Sequence, residues 1–173
     1  MMKSIALVFL FLVASLASPV LAQGKRIAVV VGISNYEHFS RLDYAADDAQ
    51  RIARSLKGLG YSLKLLAADA GAGSVARPEA LKALREIIKK AQPDDTVLFY
   101  FAGHGSRPRG QMRDYLLFTN TDPEDIAGTA LPIDSGPGKD ASSLEGVLAQ
   151  CRAKNRILII DACRNTTRSA EDA

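Results

Sequence analysis

The sequence predicts an α/β domain in which a mostly parallel sheet is sandwiched between helices on both faces. Runs rich in Val, Ile, Leu and Phe alternate along the chain with segments whose apolar residues recur at helical spacing. This alternation is typical of strand-helix-strand units, whose right-handed crossovers build a parallel sheet. The run at 157–160 is apolar without interruption, as a strand covered on both faces is. We therefore expect a three-layer sandwich.

The elements are predicted in the order strand, helix, strand, helix, strand, arm, helix and strand. The predicted bounds are strand 26–33, loop 34–42, a helix that begins at Ala45, strand 61–67, a flexible connection at 69–77, a helix from Pro78 to Ala91, strand 95–102, a hairpin arm at 112–119, a loop at 120–139, helix 142–152 and strand 156–162. β-branched residues indicate the strands, and helical spacing indicates the helices. Gly58 and Gly60 end the first helix, and Pro78 suits the first turn of the second.

Residues 1–22 predict a secretory signal peptide. Lys3 precedes an apolar run at 5–16, and small residues lead up to Ala22, after which we expect cleavage. A membrane anchor is the alternative, but the run is shorter than the roughly 20 apolar residues that a span requires. The sequence thus predicts one domain at 23–173, a secreted or periplasmic location and no stable membrane span.

The charge pattern argues against nucleic acid as a partner. The formal net charge is only +3, from 22 Lys and Arg residues against 19 Asp and Glu residues. The basic residues are dispersed, without the clustered stripe or the aromatic platforms that bind nucleic acid.

A histidine and a cysteine follow two of the apolar strands. Strand 95–102 leads into His104, and strand 156–162 leads into Cys163. The carboxyl ends of parallel strands meet at one edge of a sheet, where ligands bind. If the two strands are neighbours, the imidazole can take the thiol proton and the thiolate can attack a carbonyl. The alternative is that one histidine and one cysteine end two strands by coincidence.

The glycines beside His104 indicate an oxyanion hole. Gly103 and Gly105 leave the backbone uncluttered, so that amides can approach a substrate oxygen. We assign the hole to the backbone N–H groups of Gly105 and Cys163. The second histidine, His38, lies in a predicted loop and is interpreted as a surface or packing residue.

The two cysteines, Cys151 and Cys163, are predicted not to pair. A disulfide is the ordinary interpretation in an oxidising compartment. The intervening strand, however, at about 3.3 Å per residue, separates the two residues by on the order of 20 Å, and a disulfide needs α-carbons within about 7 Å. Cys151 belongs to the predicted helix 142–152 and is expected to be a buried apolar residue.

Asp161 shares a strand face with Cys163, because it precedes the cysteine by two positions. A carboxylate beside a reactive thiol raises the thiol pKa and hinders its ionisation, unless the acid has another purpose such as binding a cationic substrate group. The alternative is a carboxylate that accepts hydrogen bonds from loop amides. Asp47 and Asp48 are expected either to face the same crevice or to cap the first helix.

No metal or other cofactor is predicted to be required. Two histidines far apart and one exposed cysteine do not form a zinc set. Acids in the second half offer oxygen ligands to calcium, but they lack the dense spacing of a calcium loop and are interpreted as solvated. These acids are Asp114, Asp122, Glu124, Asp125 and Asp134.

These motifs resemble those of the caspase-like cysteine peptidases, in particular the bacterial metacaspase or orthocaspase type. The similar pieces are Ala-Val-Val-Val-Gly-Ile at 28–33 with Tyr36, Asp48-Ala49, Tyr-Phe-Ala-Gly-His-Gly at 100–105, Tyr-Leu-Leu at 115–117 and Ile-Asp-Ala-Cys-Arg at 160–164. They extend over nearly all of 23–173, and the histidine and cysteine motifs are the specific ones.

The resemblance implies a caspase-like α/β sandwich in which His104 is the general base and Cys163 the nucleophile that forms a covalent acyl-enzyme. In metacaspases an acid two residues before the cysteine and another near the first helix form an acidic S1 pocket. Asp161 matches the first acid and Asp48 the second. The resemblance therefore implies a cysteine endopeptidase whose protein or peptide substrates carry Arg or Lys at P1. Calcium stimulation is common in the family, but its ligands have no residue-by-residue match here.

One departure from the family concerns the sheet beyond Cys163. The family fold continues into a small-subunit region with two further strands, whereas only residues 164–173 follow the cysteine here. The domain at 23–173 resembles the large-subunit part alone, which a truncated enzyme, a partner-completed enzyme or an inactive remnant would explain. An uncovered strand edge pairs readily, so we expect self-association or a partner at that edge.

Two other functions stay open. A non-catalytic caspase-like binding module would hold a partner in the same acidic cleft or at the open edge. An unrelated α/β hydrolase acting on small esters or amides is disfavoured, because the sequence has no Gly-x-Ser-x-Gly elbow.

Overall fold

The computed structural model describes residues 24–69, 73–136, 138 and 140–165, with the backbone alone described at 163–165. The predicted signal peptide, residues 1–22, lies outside the described residues. Among the helices within these ranges, none combines the length and the apolar character needed to cross a membrane.

One sheet forms the centre of the domain. The elements are β1 (Arg26–Ile33), α1 (Ala45–Gly58), β2 (Tyr61–Ala68), α2 (Arg77–Lys90), β3 (Thr96–Ser106), β4 (Tyr115–Leu116), α3 (Ile126–Thr129), β5 (Leu131–Pro132), α4 (Leu144–Ala149) and β6 (Asn155–Asn165). Strands β2, β1, β3 and β6 lie side by side in that order and run parallel. The short β4 pairs antiparallel with the end of β3, and β5 pairs antiparallel with β4. The predicted mostly parallel sheet is confirmed.

Helices cover both faces of the sheet, as predicted. On one face α1 packs against a core that includes Val30, Leu98 and Tyr100. On the other face α2 and α4 pack against a larger core that includes Val31 and Phe101. Alternate residues of β1 and β3 serve the two cores because successive side chains of a strand point to opposite faces. β3 is therefore enclosed from both sides.

The two strands predicted to carry the site are longer than the sequence indicated. β3 and β6 continue to Ser106 and Asn165, past the predicted ends at 102 and 162. The two strands pair residue for residue along their full length, so backbone hydrogen bonding extends the ladder beyond the apolar residues. His104 and Cys163 consequently lie within strands and not in the loops that follow them.

The second half of the chain contains two elements that were predicted as loop. α3 and β5 lie inside the segment 120–139. The Asp125 side chain caps α3 by accepting a hydrogen bond of 2.9 Å from the Gly128 N–H. The four residues of α3 are too few to show a helical repeat of apolar residues in the sequence. α4 is shorter than the predicted helix 142–152, and Cys151 lies just beyond its end.

β6 is an edge strand. Among the described residues it pairs with β3 alone, and no strand lies along its outer side. Ile157 and Leu158 are each 37% exposed and Ile159 is 42% exposed, whereas the central residues of β3 are buried. The outer edge expected from the sequence is thus uncovered in the described part of the chain.

Candidate active site

His104 and Cys163 occupy paired positions on neighbouring strands. The parallel register of β3 and β6 pairs His104 with Cys163 and Ala102 with Asp161. Adjacent strands of a sheet lie about 4.8 Å apart. Since alternate residues share a face, these four positions belong to the face that α1 covers, where Tyr100 is also found. The structure thus brings together the backbone positions of the histidine, the cysteine and the acid predicted from the sequence.

A backbone carbonyl holds His104 in one tautomer. The His104 Nε2 lies 2.8 Å from the carbonyl oxygen of Ser40. Because a carbonyl oxygen can only accept a hydrogen bond, Nε2 carries the hydrogen in this contact. In the neutral ring Nδ1 is then unprotonated and has a lone pair for a proton. The ring is therefore arranged to act as a base through Nδ1.

Two aromatic side chains from the same loop pack around His104. The ring centroid of Tyr36 lies 4.7 Å from that of His104, and the ring centroid of Phe39 lies 6.3 Å away. The backbone N–H of His104 also donates a hydrogen bond of 2.7 Å to the Tyr36 hydroxyl. The loop between β1 and α1, which carries Ser40 as well, therefore contacts the histidine at its backbone, its ring face and its Nε2.

Asp161 and Asp48 lie near one buried tyrosine. The pKa of Tyr100 is raised, mainly by burial and further by the negative charges of Asp161 and Asp48. Two carboxylates from different elements, β6 and α1, therefore act on the same ring. The Arg51 guanidinium donates a hydrogen bond of 2.7 Å to Asp48. The Asp161 side chain is exposed, and no described residue forms a hydrogen bond or an ion pair with its carboxylate.

Neither of the two acids at the start of α1 caps the helix. The N-cap residue is Tyr44, and no side chain caps this helix. Asp47 is exposed on the surface of α1, and Asp48 is half-buried towards Tyr100. Of the two acids that the sequence left open, Asp48 is therefore the less exposed, and its charge is the one that acts on Tyr100.

Comparison with known proteins identifies the family. A model of the caspase domain matches residues 25–173. The chain belongs to the caspase-domain family. It is similar to metacaspase-1A of Aspergillus terreus, with 28% identity over 90 residues that make up 49% of this chain and 22% of that protein. It is also similar to metacaspase-1A of Aspergillus niger, with 27% identity over 90 residues and the same shares of the two chains. The chain thus spans about a fifth of the length of these curated relatives.

A solved structure agrees with the fold. The crystal structure of a protein from Geobacter sulfurreducens superposes with a TM-score of 0.63 at 17% identity, over 83% of this chain and 52% of that one. At this identity the likeness concerns the fold alone. The predicted resemblance to caspase-like cysteine peptidases and the predicted α/β sandwich are confirmed. Family membership groups the chain with cysteine peptidases, while the bacterial type and the roles of individual residues stay predictions.

In this caspase domain the Gly105 amide is directed into the sheet. The His104 N–H donates to Tyr36, and the His104 carbonyl accepts a hydrogen bond of 3.0 Å from the Leu117 N–H, on the side of β3 where β1 and β4 lie. Successive amides of a strand point to opposite edges, so the Gly105 N–H points towards β6. A substrate oxygen reaches this amide only if the chain after Cys163 turns away from β3. The oxyanion hole of Gly105 and Cys163 stays a prediction, and it requires that the chain after Cys163 turn away from β3.

Two residues that the sequence interpretation set aside have the exposure it predicted. His38 is exposed and its Nε2 lies 4.0 Å from Glu37. Cys151 is buried and unpaired, as predicted. Neither residue belongs to the site.

Four of the five acids considered as calcium ligands, all except Glu124, have protein partners among the described residues. Arg107 donates two hydrogen bonds of 2.8 Å to Asp114. Arg113 lies with its Nε 3.5 Å from Asp134. Asp125 caps α3. Within the described ranges no three His, Cys, Asp or Glu side chains are grouped as metal ligands.

Sequence interpretation missed three contributors to the site. Ser40 acts through its backbone carbonyl, which no side-chain pattern reveals. Tyr36 contributed to the family resemblance without a role, and its position four residues before Ser40 in the same loop was the available signal. Tyr100 was interpreted as part of an apolar strand and of the histidine motif, without a role of its own, although its register partner Ile159 precedes Asp161 by two positions on the same face.

Proposed function

We propose that the protein is a cysteine endopeptidase that cleaves peptide bonds after Arg or Lys through a dyad of Cys163 and His104. The register of β3 and β6 carries this proposal, because it pairs the two positions on the face that also holds Asp161. The contact of His104 Nε2 with the Ser40 carbonyl supports it further, since Nδ1 is left as the proton acceptor.

In the first half of the proposed reaction His104 Nδ1 takes the proton of the Cys163 thiol, and the thiolate attacks the carbonyl carbon of the scissile bond. The carbonyl electron pair moves to the oxygen, which accepts hydrogen bonds from the N–H groups of Gly105 and Cys163 once the chain after Cys163 has turned away from β3. The imidazolium then gives its proton to the amide nitrogen as the C–N bond breaks. An amine leaves, and a thioester remains on the cysteine.

In the second half a water molecule attacks the thioester while His104 Nδ1 takes one of its protons. The C–S bond breaks, the acid product leaves, and the cysteine thiolate regains the proton from the imidazolium. The Ser40 carbonyl accepts from Nε2 throughout, so it stabilises the positive ring formed in each half. Apart from the attacking water, the proposed reaction uses protein groups alone and therefore requires no cofactor. Calcium is tested only as a variable of the assay.

The acidic site beside Tyr100 supports the preference for a cationic P1 residue. Asp161 is exposed and has no cationic partner among the described residues, so it is available to a guanidinium or an ammonium group. Asp48 lies near the same ring but is paired with Arg51. We therefore expect Asp161 to contribute more than Asp48 to binding Arg or Lys.

Fluorogenic peptides test the proposal. The purified protein is incubated under reducing conditions, with and without calcium, with peptides that end in Arg, Lys or Asp before the fluorophore. We expect cleavage of the Arg and Lys peptides, none in Cys163→Ala, and a loss of about 10²- to 10⁴-fold in His104→Ala, the usual range for a general base. Asp161→Asn is expected to weaken cleavage of the Arg peptide selectively.

Matched variants control for general damage. Cys151→Ala removes the other, buried thiol, and Asp94→Asn removes an exposed acid paired with Lys154. Both are expected to leave the cleavage rate within about two-fold of the unmodified protein, as distant surface or small core changes do. Absence of any cleavage, or cleavage that persists in Cys163→Ala, would refute the proposed activity.

The uncovered edge of β6 favours a second candidate function, the binding of a partner or of a second copy. Its outward backbone groups and the exposed Ile157, Leu158 and Ile159 offer a template for another strand. If this is the main role, association will survive Cys163→Ala and will weaken in Ile159→Lys. Sedimentation velocity over a range of concentrations measures the oligomeric state of both variants. An unmodified protein that stays monomeric at every concentration would exclude self-association.

We also propose export with removal of residues 1–22. The charged start, the apolar run and the small residues before Gln23 support it. Mass spectrometry of the protein produced from the full sequence in a secreting cell is expected to find Gln23 as the first residue. A retained Met1 would argue for an anchor or for an intracellular protein.

A further inference from the structure

The Tyr36 hydroxyl fills a gap in the hydrogen bonding of β3. On the side of β3 that faces β1, pairing with β1 ends at Ala102, and pairing with β4 begins at Gly105. The His104 N–H falls between these two pairings and donates to the Tyr36 hydroxyl at 2.7 Å. A side-chain oxygen thus replaces the backbone carbonyl that a neighbouring strand would supply.

The ring of the same tyrosine packs against the His104 ring. The Tyr36 and His104 ring centroids are 4.7 Å apart with an interplanar angle of 50°. Tyr36 is only 7% exposed. Since the backbone N–H and the ring face are both held by one buried residue, rotation of the imidazole about its side-chain bonds is restricted.

The close approach of Tyr36 leaves no room for a side chain at Gly103. A β-carbon at Gly103 would lie 2.6 Å from the Tyr36 hydroxyl oxygen and 2.9 Å from the Phe101 ring. Both distances are shorter than side chains tolerate, so an alanine would push the hydroxyl away from the His104 amide. The glycine before the histidine and the tyrosine in the loop therefore depend on each other.

The loop that carries Tyr36 is itself held at two points. The Glu37 N–H donates to the Thr119 carbonyl at 2.9 Å, and the Leu42 N–H donates to the Ser34 carbonyl at 2.8 Å. Burial raises the pKa of Tyr36, and the hydrogen bond from His104 only partly offsets this effect. The hydroxyl therefore stays neutral at physiological pH and keeps its place as an acceptor.

We propose that Tyr36 is a positioning residue for His104, which aligns the imidazole so that Nδ1 meets the thiol at position 163 while Nε2 stays on the Ser40 carbonyl. The inference rests on the proposed dyad for its effect on catalysis. It is independent of the dyad in its effect on the histidine itself. Without the hydroxyl, the His104 amide loses its acceptor, and the backbone that carries the imidazole is held less firmly.

Tyr36→Phe tests this role because it removes one oxygen atom and keeps the ring. Tyr61→Phe, at the start of β2 and at the opposite end of the sheet, is the matched control. Nitrogen-15 NMR of the imidazole reports the tautomer directly, and His104→Gln assigns the signals, since His38 is the other histidine of the sequence. We expect the Nε2-protonated tautomer in the unmodified protein and in Tyr61→Phe. In Tyr36→Phe we expect a mixture of tautomers and faster hydrogen exchange at the His104 amide.

Kinetics provides the second measurement. In Tyr36→Phe we expect kcat for the Arg peptide to fall roughly 10- to 100-fold, the cost of a misaligned catalytic group, with KM changed less than about two-fold. Gly103→Ala is expected to act in the same direction, and its effect should be smaller in a Tyr36→Phe background, where one of the two close contacts is gone.

The outcomes separate the two proposals. If the unmodified protein cleaves neither the Arg nor the Lys peptide, the proposed peptidase function fails, and the NMR spectra still decide the role of Tyr36. If Tyr36→Phe leaves both the His104 tautomer and the exchange of its amide unchanged, the positioning role is overturned whether or not the protein is a peptidase. A uniform loss of thermal stability with an unchanged tautomer would equally mark Tyr36 as a purely structural residue.

Discussion

The strands that carry the histidine and the cysteine are paired along their whole length, yet their surroundings differ. β3 is enclosed by strands on both sides and by helices on both faces, and His104 is held by the Tyr36 hydroxyl and the Ser40 carbonyl. β6 is bound on one side only, and Ile157 and Ile159 of its α1-side face are exposed. The histidine half of the site is therefore preorganised within the described residues, whereas the cysteine half lies at an uncovered edge.

Hydrogen exchange measures this difference most strongly. Amides in the centre of β3 are buried and bonded, so we expect them to exchange only through global unfolding. Alternate amides of β6 face away from β3 and meet no strand among the described residues. We expect at least about 10³-fold slower exchange for central β3 amides than for the outward amides of β6, given ordinary domain stabilities. Equal protection of both sets would mean that the edge of β6 is covered in solution.

Core substitutions sharpen the same comparison in stability. Phe101 on β3 is fully buried, so Phe101→Ala is expected to lower the free energy of unfolding by about 3–5 kcal/mol. Leu158 on β6 is 37% exposed, and Leu158→Ala is expected to cost less than about 1 kcal/mol. Urea denaturation followed by circular dichroism gives both values. A large loss in Leu158→Ala would show that β6 is buried by a partner or a second copy under the conditions of the measurement.

Alkaline titration tests whether the two acids lie near Tyr100. Burial, then Asp161 and Asp48, raise the pKa of this tyrosine, because the phenolate would be a further negative charge beside two carboxylates. Asp161→Asn is expected to lower that pKa while burial keeps it above the ordinary value of about 10. Absorbance at the phenolate band, taken as the difference from a Tyr100→Phe variant, isolates this residue. An unchanged Tyr100 titration in Asp161→Asn would show that the Asp161 carboxylate does not lie near Tyr100 and so does not belong to the proposed S1 site.

The same shift has a defined sign for stability. A group whose pKa is raised on folding stabilises the protein fully below its unfolded pKa, here about 10, and that contribution is lost as the pH rises towards the folded value. Tyr36 and Tyr100 both have raised pKa values. We therefore expect the protein to lose stability above about pH 10, and less steeply in Tyr100→Phe.

Much of the fold is readable from the sequence because its signals are local. β1 was predicted with the bounds that the structure has, and α1 with its start at Ala45 and an end at Gly58 or Gly60, since a glycine or a change of period marks these ends. The ends of β3 and β6 were predicted too early, because the ladder that extends them joins residues about 60 positions apart. α3 was missed since a single capping acid, Asp125, defines it.

The site divides in the same way. His104, Cys163 and Asp161 were found from the sequence because reactive side chains after apolar strands are an unusual pattern. The residues that hold His104 were missed, since Ser40 uses a backbone oxygen and the Tyr36 hydroxyl serves an amide across the fold. Contacts of this kind depend on where the loop folds back, and no local pattern of residue types encodes that.

Alkylation of the thiols as a function of pH tests the central claim most directly, because it needs no substrate. Cys151 is buried and provides an unreactive internal reference, so iodoacetamide labelling read by peptide mass spectrometry reports on Cys163. We predict that Cys163 is alkylated faster near neutral pH in the unmodified protein than in His104→Gln, because the imidazole takes the thiol proton. A Cys163 that is alkylated at the same rate in the unmodified protein and in His104→Gln at every pH would contradict the dyad.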